Sequence, residues 1–120
     1  GMTNSEDYLN LDRAKLMEDL RDLSKKYNEA YALQLRTETQ TKTLYAGLYV
    51  KYKTGAEKMS IKEIETKIVL DKDMSQQRLR DDESKKNYLI AKTNYNNMLT
   101  EISLLQSELK RELQLMGKEK

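Results

Sequence analysis

The chain contains no cysteine, histidine, proline, tryptophan or phenylalanine, and each absence excludes something. Without Cys or His, neither Ser–His–Asp nor Cys–His catalysis can be assembled. Zinc-type sites lose both of their usual ligands. A di-iron bundle site, which needs Glu-x-x-His on two helices, is equally out of reach. Absent cysteine also means no disulfide framework, so nothing argues for an oxidising compartment. The four glycines stand apart at positions 1, 47, 55 and 117, too scattered for a phosphate-cradling loop. No apolar run approaches the 18 or so residues of a membrane span, and no basic-plus-apolar leader is present. Gly1 ahead of Met2 reads as a residue left by tag removal. The expectation is a soluble intracellular protein that uses no cofactor and is not an enzyme.

What is present is helix-forming. Charged residues make up 35% and hydrophobic ones 38% of 120 residues. Leu, Lys, Glu, Ala, Gln and Arg dominate, and nothing forces the backbone out of a helix. With no Phe or Trp to supply large buried areas, Leu, Ile, Met and eight Tyr must serve, which suits narrow seams between helices. The length fits one domain, residues 1–120.

"KTGAEKMSIKEIET" (53–66) carries the clearest punctuation in the chain. Gly55 suits a left-handed residue closing a first helix. Ser60 and Glu63 have capping-box spacing, with the glutamate expected to reach back to the Ser60 amide, and Met59 and Ile64 occupy the staple positions. The first helix is expected over about 5–54, roughly 70 Å of α-helix, and the corner over 55–60. A short helix with Ile61, Ile64 and Ile68 on its apolar face follows over 60–70. Asp71, Asp73 or Ser75 then caps a last helix over about 74–116, with a kink or loop at 71–75 and Gly117 as its closing residue.

Leu9, Leu16, Leu20, Leu23 and Tyr27 recur at coiled-coil intervals, pass through polar Ala30, Gln34, Thr37 and Thr41, and resume at Leu44 and Leu48. Tyr88, Ala91, Tyr95, Met98, Ile102, Leu105 and Leu109 alternate by three and four without error. Folding at residue 56, so that paired positions add to about 112, places the polar stretches 30–41 and 71–82 opposite each other. The fold expected is all-α: a long antiparallel helical hairpin (coiled coil) with a short helix after the corner. Ile90, Leu99, Leu104 and Leu113 fall off the seam, and Tyr45, Tyr49 and Tyr52 form a second stripe. Such uncovered stripes predict an oligomeric bundle, with a homodimer favoured. Gly47 inside the first helix fits either a close helix crossing or a tolerated accident.

Two chemistries remain open. The acidic clusters "EDLRD" (Glu18, Asp19, Asp22) and "DDE" (Asp81, Asp82, Glu83) have spacing compatible with Mg²⁺, although a solvated face is the better reading. Residues 42–72 carry seven Lys and four acids, a local excess of +3 on a chain of net charge +2. Within them Lys42, Lys51, Lys53 and Lys58 lie among Tyr45, Tyr49 and Tyr52. That pattern allows stacking of unpaired bases with phosphate neutralisation. The competing reading has the tyrosines filling the seam while the lysines solvate the outside, and the lack of Arg between 37 and 77 favours it.

"YVKYKTGAEKMSIKEIETKIVLDKD" with "KKNYLIAKTNYNNMLTEISLLQSELK" resembles small helical proteins of phages and prophages of Gram-positive bacteria, often encoded beside single-strand annealing recombinases. That resemblance spans about Lys25 to Leu113. It implies a cytoplasmic accessory of DNA replication or recombination acting through protein–protein contacts, and it transfers no catalytic residue. Direct single-stranded nucleic-acid binding and a virion scaffold or chaperone role are the alternatives.

Overall fold

The computed structural model describes residues 5–118, and side chains over 12–117. Its elements are α1 (Ser5–Lys53), α2 (Ile61–Leu70) and α3 (Lys72–Lys118), an all-α long helical hairpin. Two packed units make up the chain. One joins Gly1–Asn28 to Ile90–Lys120, and the other is Glu29–Leu89.

In each unit α1 and α3 run antiparallel. Tyr27 meets Tyr95 edge-on at 5.5 Å in the first unit. In the second, Tyr31 meets Tyr88 at 5.5 Å, and Thr37 bonds Ser84. The paired numbers add to 119–122 rather than 112. Pairing is therefore centred near residue 60 rather than 56.

α1 is closed by Thr54, whose amide and hydroxyl both donate to the Val50 carbonyl, at 2.9 and 2.7 Å. Gly55 is not in the left-handed region, which no described residue occupies, so the expected glycine cap is replaced by a threonine one. Nor does Gly117 close α3, which runs through Lys118. α2 begins as expected on Ser60, whose hydroxyl oxygen accepts from the Glu63 amide at 3.2 Å. The glutamate does not return to the Ser60 amide. Its carboxylate instead accepts from the Ser60 hydroxyl at 3.1 Å.

The break after α2 is one residue long. Asp71, in extended backbone, donates its amide to the Ile68 carbonyl at 3.1 Å and so ends α2. Its carboxylate accepts from the Met74 amide at 2.8 Å and its carbonyl from Ser75 at 2.9 Å, which starts α3. One residue caps two helices, α2 with its backbone amide and α3 with its carboxylate, and α3 begins at Lys72 rather than near 74.

The only fully buried apolar side chains among the described residues, Ile64, Ile68 and Met74, gather at this corner. Leu44, Tyr45, Leu48, Tyr49, Tyr52 and Met59 pack around them. The tyrosine stripe is thus covered by α2 of the same chain. Ile61, expected on that apolar face, is 62% exposed at the first position of α2. A β-carbon on Gly47 would meet nothing within 4 Å, so no close crossing within the chain requires this glycine. Gly47→Ala is expected to raise stability by about 1 kcal/mol, read as a higher midpoint in urea followed by circular dichroism.

Candidate functional site

Three regions of the hairpin carry chemistry: the seam, a polar layer within it, and the basic corner. Heptad logic builds the seam. Leu16, Leu20, Leu23 and Tyr27 of α1, and Ala91, Tyr95, Met98, Ile102 and Leu109 of α3, are all partly covered. Leu44, Leu48 and Tyr88 are likewise half-buried in the second unit. Leu105 has the right spacing but is exposed. Leu9 falls outside the described side chains.

Carried backwards from Tyr88, the same three-and-four step passes through Ser84, Asp81, Gln77 and Met74, and all four are buried. Opposite them stand Thr37, which is buried, and Thr41, which is half-buried. Thr37 and Ser84 share a hydrogen bond of 2.7 Å between hydroxyls. Each hydroxyl also lies near a carbonyl of its own helix, Thr37 near Leu33 at 2.9 Å and Ser84 near Asp81 at 2.9 Å. Each has a single proton, so one donates across the seam while the other donates back along its helix. Gln77 extends its amide to the Thr37 carbonyl and the Thr41 hydroxyl at long distances of 3.4 Å.

Asp81 is the uneven member of the layer. Its Oδ2 pairs with Lys85 Nζ at 3.1 Å, whereas its Oδ1 is buried without a hydrogen-bond partner. Lys85 is held above its ordinary pKa, first by that hydrogen bond to Asp81, then by the attraction of Asp81, with Glu38 and Asp82 adding smaller pulls. A raised lysine favours the folded state at neutral pH, and the contribution disappears only as strongly alkaline pH strips the proton. Because the lysine is solvated, the pair is a weak contributor.

At the corner the lysines face the tyrosines. Lys51 Nζ lies 5.8 Å from the Tyr52 ring centroid, Lys67 Nζ lies 5.7 Å from the same ring, and Lys53 Nζ lies 5.7 Å from that of Tyr49. Tyr45 and Tyr49 stack at 6.5 Å. These contacts lie within cation–π range. Sequence reading missed Lys67, because it belongs to α2 and reaches Tyr52 only once α2 is docked. Lys42 instead pairs with Glu38 at 3.4 Å within α1, and Lys58 is exposed in the loop. The tyrosines are half-buried against α2, with ammonium groups near two of the rings. This arrangement matches the reading in which they fill the corner.

Neither acidic cluster gathers into a metal site: among the described residues no group of three or more carboxylates is placed to hold an ion. No described helix is long and apolar enough to cross a membrane. No family model matches the chain, and no curated protein or solved structure shows significant similarity to it.

Proposed function

We propose that this is a non-catalytic helical hairpin that self-associates and works through protein–protein contacts. The observation that carries this reading is the state of the seam in the first unit. None of the described side chains in 12–28 and 90–117 is buried, although the stretches hold Leu, Ile, Met and Tyr at seam spacing. A second helical layer is what such surface normally meets.

The resemblance to phage and prophage proteins supports placing this activity beside a DNA replication or recombination apparatus. A scaffold role in virion assembly is the competing placement, and the genes adjoining this one decide between them. Light scattering after gel filtration tests the core of the reading. The expected mass is at least twice the 14.1 kDa of one chain. A strict monomer at about 100 µM, ten- to a hundredfold above the Kd of an ordinary protein pair, would remove it. Were the monomer also to bind single-stranded DNA at low salt, and lose it on Lys51→Glu with Lys53→Glu, the function would pass to the basic corner.

A further inference from the structure

The two sides of the first unit differ in charge while carrying similar apolar content. With Leu20 and Tyr27 of α1 and Tyr95 and Ile102 of α3 as equivalent seam positions, each helix has one flank following the second seam residue and another preceding the first. Reversing one helix brings like flanks to the same side. The second unit shows that geometry: Glu38 and Lys85, which occupy the same heptad position on α1 and α3, are close enough to interact.

On one side of the first unit lie Met17, Leu99 and Leu113, all exposed, with Arg21, Lys92 and Lys110 beside them. Among the described side chains, the positions on this side include no acid. On the other side lie Ile90, Leu104 and Leu115, also exposed. Five acids accompany them (Asp12, Asp19, Asp22, Glu101 and Glu108) against three bases, Lys15, Lys26 and Arg111. Counted over the described side chains, the two sides therefore carry about +3 and −2. None of these groups is in an ion pair within the chain: the two pairs among the described residues both lie in the second unit.

Three apolar side chains on each side, set among charges of opposite sign, are complementary to each other and not to themselves. A basic side meeting its own copy would set like charges together, which opposes a close contact. We propose that the basic, leucine-bearing side of one chain packs on the acidic, leucine-bearing side of a second copy. This rests on the self-association reading and deepens it by naming the two surfaces. Such a contact is heterologous, so mass should rise with concentration beyond the dimer unless the arrangement closes.

Charge reversal tests the pairing. K92E/K110E makes both sides acidic, and E101K/E108K makes both basic. Each variant alone is expected to weaken self-association about tenfold or more at 50 mM salt, while an equimolar mixture regains the wild-type mass. The quadruple variant K92E/K110E/E101K/E108K, in which the two sides exchange sign, should associate as wild type does. All four positions are exposed, and circular dichroism separates lost helix from lost association. A monomeric wild type overturns the self-association reading itself. A wild type that assembles while K92E/K110E assembles equally well leaves that reading standing and overturns these surfaces. A mixture that stays monomeric overturns the pairing of one side with the other.

Discussion

Ile68→Ala is expected to cost roughly 2–5 kcal/mol, the range for emptying a well-packed aliphatic site, and to release the corner before the rest of the molecule. Ile68 is 0% exposed and shares its cluster with Ile64 and Met74, each 1% exposed. Truncation removes three carbons at about 0.8 kcal/mol each, and the cavity left behind adds to that loss. Collapse is hindered because the neighbours come from three elements: Leu44 to Tyr52 on α1, Met59 before α2, and Met74 on α3. α2 has only ten residues, below the 12–15 or so at which a helix holds itself together in water. It persists because Ile64 and Ile68 dock it and because Ser60 and Asp71 cap its ends.

With the docking weakened, the caps alone cannot hold α2. Amide exchange in 61–70 should therefore accelerate far more than exchange in 90–102, and the urea midpoint should fall. Leu105→Ala is the matched control. Its side chain is already exposed, so the expected cost is under about 1 kcal/mol. A loss of less than about 1 kcal/mol for Ile68→Ala, or uniform acceleration of exchange along the chain, would show that the corner is not where the apolar stabilisation is concentrated.

The hairpin was legible in the sequence because its signals are local and repetitive. Tyr88 to Ile102 keep a three-and-four step that only a helical seam rewards, and the Ser60 cap fixes the start of α2. The corner geometry was less legible. Gly55 is a permissive residue, and permission is not use: the threonine one position earlier closes α1 with both its amide and its hydroxyl. Asp71, Asp73 and Ser75 were equivalent cap candidates by residue type. Only the geometry of a one-residue break, where a single carboxylate serves the start of α3 while its amide ends α2, selects the first.

Of the candidate sites, the basic corner was visible as lysines among tyrosines, but its third ammonium came from Lys67 on another helix. The polar layer was written in the register and obscured by chemistry. Ser84, Asp81 and Gln77 continue the step back from Tyr88 without interruption, yet a search for apolar residues stops at Tyr88. Periodicity, not hydrophobicity, was the signal that would have found them.

That layer yields the second large effect, of opposite sign. Asp81→Leu is expected to raise stability by about 1–3 kcal/mol. The carboxylate has one oxygen buried without a partner, and an unsatisfied buried acceptor costs about 1–3 kcal/mol. What the substitution gives up is the pair with Lys85, whose side chain is 50% exposed and whose contribution is correspondingly small. Leucine at this step would also join the apolar seam. Its extra volume offsets part of the gain if the helices cannot adjust.

Such a layer, costly where it stands, makes sense if it fixes alignment: Thr37 and Ser84 satisfy each other only in the observed register, and a buried polar position is a known means of specifying register. Extending the change to Thr37→Leu, Gln77→Leu, Asp81→Leu and Ser84→Leu together should therefore raise the thermal midpoint while broadening the distance distribution between spin labels. The chain has no cysteine, so labels on cysteines introduced at exposed Arg36 and Glu83 report cleanly. A narrow distribution in both proteins would strip the layer of its aligning role. A fall in stability on Asp81→Leu alone would show instead that the carboxylate is a net contributor, with a partner for Oδ1 that offsets its burial.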